Sequence, residues 1–319
     1  VDVPSNEVPV HVKLEAFNPC VPLSAGDSAI PMIIFNYTVT NPADNAVKVT
    51  MLSSLMNFVG WDGQSIISPG NMPNTPGGNH NTLYTYGGNI DTDDIPEYKG
   101  MSGYYGIYMN NTKLDASNNT NGELSIGVFH KDGDVNKCLL QFTDADLETM
   151  WHEFTSTGLT GQGKAGVSDK LKTWIGALSC CREIQAHGEE TFTFVLSWHF
   201  PNRYCKWGEW GPVANSESFY YLGNFYKTLW TDEKAVVLHA GQNIGKLTRM
   251  TRVFRDTMFD STLPWHLIDS AAARVSVLRS PTFMWCEDTN LYCFEGCSTT
   301  SGCCPMNCTH VLNYEMGVA

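Results

Sequence analysis

The sequence predicts a mainly β chain, an N-terminal β-sandwich whose helices gather towards its end. Three observations lead there. Between residues 8 and 199, apolar side chains recur at every second position in several short runs. From Thr231 the apolar period changes to about 3.6 residues. The stretches between the runs are dense in Gly, Asn and Pro, which make turns. The expected division is a β-sandwich over 1–230, linker helices over 231–280, and a Cys-rich loop with the start of a further helix over 281–319.

The first run sets Val8, Val10, Val12 and Leu14 against Pro9, His11 and Lys13, the mark of a half-buried strand. Asn18-Pro19-Cys20-Val21-Pro22 then forms a connector. In the next strand Ile33, Phe35, Tyr37 and Val39 share one face, with Asn36, Thr38 and Thr40 on the other. Asn41-Pro42-Ala43-Asp44-Asn45 signals a turn, after which Val47, Val49 and Met51 resume the alternation. The two runs therefore read as a hairpin. Residues 61–122 read as long loops, with strands at 104–109 and 124–130 inside or after them. The tyrosines Tyr84, Tyr86, Tyr98, Tyr104, Tyr105 and Tyr108 have faces that could stack on sugar rings. Packing within the sandwich is the stronger reading of them.

A helix is predicted over 144–154. Asp144 can accept from its first amides, Leu147, Met150, Trp151 and Phe154 form its apolar stripe, and Gly158 can end it. Strands follow at 174–181 and 191–199, joined by the turn at 185–189. In the second, Phe192, Phe194, Leu196 and Trp198 face one way. Val236, Val237, Ala240, Ile244, Leu247, Thr251 and Phe254 then read as one face of a long helix. The segment 260–264 breaks it, and Pro264 suits the first turn of a second helix striped by Leu267, Ile268, Ala271, Ala272, Val275 and Leu278.

Charge and length narrow the functions. Twenty Lys and Arg stand against 33 Asp and Glu, for a net charge of −13, with no basic cluster. Phosphate-backbone recognition needs such a cluster, so nucleic acid is excluded as a partner. No apolar run reaches the roughly 20 residues of a membrane span, so no transmembrane segment is expected. No phosphate loop, dinucleotide fingerprint or Gly-x-Ser-x-Gly elbow appears, and no cofactor is expected.

Sulfur chemistry concentrates near the end. Of eleven cysteines, Cys286, Cys293, Cys297, Cys303, Cys304 and Cys308 fall within one Gly- and Ser-rich stretch that reads as a loop. A metal site is one reading of them. Only the Cys293-x3-Cys297 and Cys304-x3-Cys308 spacings suit zinc, so these six stand foremost as candidate disulfide cysteines, with free thiols as the third reading. Glu287, Asp288 and Glu295 read as solvated loop acids, and His310 as a hydrogen-bonding brace. Sequons at Asn36, Asn110, Asn118 and Asn307 are candidate glycosylation sites. About four such sequons arise by chance in a chain of this composition, so they do not fix the compartment.

The run Cys308-Thr309-His310-Val311, followed by Asn313-Tyr314, resembles the entrance to the catalytic domain of glycoside hydrolase family 116, with Leu312 where that family usually has Trp. Upstream segments resemble the same family in the same order. They are Asn18-Pro19-Cys20-Val21-Pro22, Asn57-Phe58-Val59-Gly60, the helix with Leu147, Met150, Trp151 and Glu153, Ile175-Gly176-Ala177, and Thr193-Phe194-Val195-Leu196-Ser197-Trp198. The resemblance covers most of 8–60 and 144–315. It implies an N-terminal β-sandwich joined to a C-terminal (α/α)6 barrel that cleaves β-glucosides or glucosylceramide with retention, using a Glu nucleophile and an Asp acid/base.

Both implied carboxylates would lie beyond Tyr314, so no catalytic residue carries over, and the chain is expected to be an internal section of such a protein. Its partner would be the (α/α)6 catalytic domain, in the same or an associated chain, with the β-glucoside or glucosylceramide reached through it. The resemblance implies a cytoplasmic or membrane-peripheral location; paired cysteines and used sequons would imply a secretory one. The alternative is a non-catalytic structural or carbohydrate-binding sandwich that self-assembles as a homo-oligomer.

Overall fold

A computed structural model describes residues 2–3, 8–88, 90–159, 161, 163–205, 220–279 and 283–293. The chain begins with β1 (Asp2–Val3), β2 (His11–Phe17), the single helical turn α1 (Ala25–Ser28), β3 (Met32–Thr40) and β4 (Val47–Met56). Next come β5 (Asn79–Gly87), β6 (Met101–Asn111), β7 (Glu123–Lys131), β8 (Val135–Phe142) and the helix α2 (Leu147–Ser156). β9 (Ile175–Ile184) and β10 (Glu189–His199) complete the main strands. The short pairs β11 (Tyr204–Cys205) with β12 (Tyr220–Tyr221), and β13 (Phe283–Trp285) with β14 (Leu291–Cys293), flank the helices α3 (Glu233–Phe259) and α4 (Trp265–Val275).

A seven-stranded sheet in the order β1-β2-β3-β10-β7-β6-β5 lies over a three-stranded sheet in the order β4-β9-β8, and the pairings within both are antiparallel. The expected mainly β sandwich is therefore present. Its inner core joins Val39, Ile107, Met109, Leu124, Phe192 and Phe194 of the large sheet to Leu140, Leu178, Cys180 and Ile184 of the small one. The outer face of the large sheet is buried as well. Met32, Ile34, Tyr104, Phe129 and Val195 pack there against Val236, Val237, Ala240, Ile244 and Leu247 of α3. Alternate residues of one strand thus serve two cores: Phe194 points inward and Val195 lies under the helix.

The helix can approach so closely because of two glycines one turn apart. The carbonyl of Gly241 accepts from the Asp91 amide at 3.0 Å, and the Gly245 amide donates to the Asp91 carbonyl at 3.0 Å. A Cβ at Gly245 would collide with the Thr92 carbonyl group.

The hairpin expected between the runs at 33–39 and 47–51 does not form. β3 pairs with β2 and β10, whereas β4 pairs with β9 in the other sheet. Asn41 is the reason. It is fully buried, and its Nδ2 donates to the carbonyls of Asn45 (2.8 Å), Ile184 (3.2 Å) and Gln185 (3.0 Å). The β3–β4 link is thereby bound to the β9–β10 link, and both cross from one sheet to the other.

Thr143, rather than Asp144, caps the 3-10 turn 144–146 that leads into α2: the Thr143 amide and hydroxyl both donate to the Asp146 carboxylate, at 2.8 and 2.7 Å. Only Met150 of its stripe is buried; Leu147 and Trp151 are exposed. Within the stretch read as a loop, β13 and β14 form a small hairpin.

A buried asparagine network closes one end of the sandwich. Asn57 accepts from Asn79 Nδ2 at 3.0 Å and donates to Asn81 Oδ1 at 2.9 Å. Asn81 Nδ2 donates to the Leu140 carbonyl at 2.8 Å, and Asn111 Nδ2 donates to the Gly77 carbonyl at 2.9 Å. These four amides supply the partners that the long 57–79 connection would otherwise take from water.

Candidate functional site

The most chemically loaded place in the described chain is where α3 begins. Asp232 caps the helix, accepting from the Ala235 amide at 2.8 Å. A second cap comes from the sheet: Glu123 Oε2, on β7, accepts from the Glu233 amide at 2.9 Å. Glu233 itself turns inward and is fully buried. Its Oε1 accepts from the Ser197 hydroxyl on β10, and its Oε2 has no partner. Burial raises its pKa to about 7, the hydroxyls of Ser197 and Ser125 oppose the rise, and Glu123 and Asp232 reinforce it.

Tyrosines line the same place. Gly106 and Gly127 face each other across β6 and β7, and the ring of Tyr104 lies over the pair, in the space a Cβ on either would fill. Its hydroxyl is hydrogen-bonded to Ser125, beside Glu233, and its ring packs on Tyr86 (5.6 Å between centroids) and Phe129 (5.5 Å). Tyr86 donates to the Val237 carbonyl at 3.0 Å, and the Lys234 ammonium lies 4.4 Å from the ring centroid of Tyr108. Burial pushes the pKa values of Tyr86, Tyr104 and Tyr108 up, so these groups stay neutral. Tyr98 is also interior, bonded to Asn36 and to Thr248. These rings therefore pack the sandwich against the helix; Tyr98 and Tyr104 offer no face to a sugar.

A second cluster lies where β13 meets the end of the sandwich. The rings of Phe225 and Trp285 stack at 3.6 Å, nearly parallel. Lys227 Nζ donates to the Tyr221 hydroxyl at 2.7 Å and to Glu287 Oε2 at 2.9 Å. The Lys227 hydrogen bond holds the Glu287 carboxyl below its ordinary range. Asp288 accepts from Asn290 and from the Tyr292 hydroxyl, closing the β13–β14 turn. Of the six candidate disulfide cysteines, Cys286 is fully buried beside Met284, and Cys293 pairs with Phe283 along the backbone. Cys297, Cys303, Cys304 and Cys308 lie outside the described residues, as do Glu295 and His310. Cys20, Cys138, Cys180 and Cys181 are free thiols. No group of three or more His, Cys, Asp or Glu suited to a metal occurs among the described residues.

Residues 1–247 of the 319 match the family model described as beta-glucosidase 2, glycosyl-hydrolase family 116 N-term. The chain belongs to glycoside hydrolase family 116. Among curated proteins nothing matches it. The matched span takes in the whole sandwich and the buried first half of α3.

Hydrolysis of a glycosidic bond calls for two carboxyls facing each other across the substrate. In this family 116 chain, Glu233 is sealed under α3, Glu287 is paired with Lys227, and Asp288 closes a turn. Each of the three is committed to a structural contact of its own.

The sequons fare differently from one another. Asn36 is interior. It is 2 % exposed, and its Nδ2 donates to the Tyr98 hydroxyl at 2.8 Å while its Oδ1 accepts from Thr193 at 2.9 Å. Its amide is thus committed to interior hydrogen bonds, away from solvent. Asn110 and Asn118 are half-buried, and Asn118 Oδ1 accepts from Thr120 of its own sequon. Asn307 lies outside the described residues. No described helix is long and apolar enough to cross a membrane.

The Glu233 site was missed by sequence reasoning. Its one local signal was an acid directly after Asp232 at the start of the 3.6-residue period, which reads as an ordinary favourable charge at a helix N-terminus. Its burial depends on β7 and β10, more than 30 residues away in the chain.

Proposed function

We propose that this chain is the supporting N-terminal part of a retaining β-glucosidase or glucosylceramidase of family 116. In this reading the sandwich, 1–230, anchors the helices of 231–280, and these present a surface to the (α/α)6 catalytic domain. The observation that carries it is the family match over 1–247, which ends within α3. The remainder of α3 and α4 supports the reading. Phe259, Leu263, Trp265 and Leu267 are exposed there, an apolar run of the kind a packed domain covers.

The proposal has a direct test. The 319-residue chain, offered an aryl β-glucoside or glucosylceramide, should show no turnover above background and no covalent labelling by a mechanism-based β-glucosidase inhibitor. Acid and nucleophile act as a unit, so their absence removes nearly all acceleration. A chain extended into the catalytic region should recover both. Labelling of any Glu within residues 1–319 would overturn the assignment.

A further inference from the structure

The Glu233 carboxyl has no role in the function proposed above, yet it sits where the first turn of α3 meets β7 and β10. A buried acid with an unpartnered oxygen is costly to keep. Ser197 donates to its Oε1, and the Ser125 hydroxyl, itself bonded to Tyr104, lies beside it, but Oε2 has no partner. The helix gains little from it as a cap, because Asp232 and Glu123 already accept from the first amides. What the carboxyl does contribute is a charge that can be present or absent against the sheet.

We propose that Glu233 is a proton-controlled latch between α3 and the sandwich. Protonated, it lies seated between β7 and β10; ionised, it drives the first turns of α3 away from the sheet.

The surroundings favour each half of that cycle. β7 contributes the Glu123 carboxyl and the Ser125 hydroxyl, and β10 contributes Ser197 and His199. β6 contributes Tyr104 and Tyr108, and β5 contributes Tyr84 and Tyr86, all four with pKa values raised by burial and therefore neutral. On α3 itself Asp232 adds to the negative charge. Lys234 is drawn aside over the faces of Tyr84 and Tyr108, 5.3 and 4.4 Å from their centroids. An ionised Glu233 thus meets two further carboxyl groups, Glu123 and Asp232, against the hydroxyls of Ser197 and Ser125, with no cation among the described residues paired to it, in a fully buried place. A neutral one carries no charge to be repelled by them.

The sign follows from linkage. The folded pKa, about 7, lies above the ordinary 4.5, so the folded joint prefers the protonated acid. Its hold is full below pH 4.5, weakens as pH rises towards 7, and is constant above that. His199 acts in the opposite sense. Burial lowers its pKa, so protonating it at acid pH costs stability. Comparison with a variant that keeps His199 separates the two.

The experiment is hydrogen exchange of the amides of residues 236–245, from pH 5 to pH 8.5, in the 319-residue chain and in Glu233→Gln. Exchange is corrected for its intrinsic pH dependence. In the natural chain the opening equilibrium should rise on the order of 100-fold across the window. In Glu233→Gln that rise should vanish. Infrared spectroscopy of the natural chain needs no variant. A protonated-carboxyl band lost near pH 7, and lost at higher pH in Ser197→Ala, supports the latch. An identical pH dependence in Glu233→Gln, or a carboxyl already ionised at pH 5.5, overturns it.

Discussion

Up to Thr248, α3 is a core helix. Nine of its residues between Glu233 and Thr248 are buried, and two of them are glycines that admit the 90–95 loop against the helix backbone. Beyond Thr248 the same helix has no buried residue, and in α4 only Ile268 is buried. Apolar side chains continue at helical spacing through both parts, so the pattern alone does not separate them. What separates them is what lies opposite: the apolar outer face of the large sheet in the first case, and in the second a mostly polar fringe, where the Cys20 amide donates to Thr251 Oγ1 at 3.0 Å and Met250 is only partly buried. The second half is tied down by charge instead. Arg252 donates to Glu15 and to Glu97 (2.6 Å), and Arg255 donates to Glu15 (2.9 Å). An amphipathic period therefore states that a helix has a partner, and leaves the partner to be found.

The strongest way to break this comparison is to spoil the fit of the first half. In Gly245→Val the new Cβ would meet the Thr92 carbonyl, and the loop that binds Asp91 to the helix would have to move. A loss on the order of 4 kcal/mol is expected from overpacking together with two broken backbone hydrogen bonds. Urea unfolding measures it. A change below about 1 kcal/mol would show that the helix does not depend on that approach.

A smaller effect, with a pH signature, is expected from the charged half. Burial works against ionisation of Glu15, but the hydrogen bonds and charge of Arg252 outweigh it and hold the carboxyl below its ordinary value. The depressed value means that this stabilisation is present above about pH 4.5 and is lost as pH falls through the lower folded value. Arg252→Ala should cost about 1 kcal/mol at pH 7, since the guanidinium is only partly shielded. The difference between the variant and the natural chain should narrow as pH falls from 7 to 3. Thermal melts at the two pH values check this, and an undiminished difference at pH 3 would mean that Arg252 acts through packing.

Much of this architecture was legible in the sequence, and the failures share a cause. β10 and α3 were readable because apolar side chains mark their faces. β5 was not, because two of its buried residues are Asn79 and Asn81, polar side chains that are both satisfied through Asn57 rather than apolar ones that mark a face. The supposed hairpin at 41–45 failed because Asn41 is a turn residue by type and a bridge between two crossovers by position. Glu233 was hidden for the same reason: long-range burial reverses the meaning of a residue whose local reading is ordinary. The Cys-Thr-His-Val run was the most specific sequence signal, and it lies outside the described residues.

The smallest expected effect is the one that tests the exposed half most sharply. Trp265 opens α4 and is 74 % exposed, so in the 319-residue chain its indole has already been left to water. Replacing it by Ser removes little burial, and the expected change in stability is within about 0.5 kcal/mol. If α4 is the surface that a catalytic domain covers, the same substitution in a chain carrying that domain costs about 3 kcal/mol, the usual range for losing a buried aromatic ring. If α4 instead mediates self-association of this chain, Trp265→Ser lowers the apparent mass in light scattering while the catalytic-domain chain is untouched. A large loss in the 319-residue chain alone would mean that the indole is buried there in solution, and the contrast between the two halves of the helical segment would be gone.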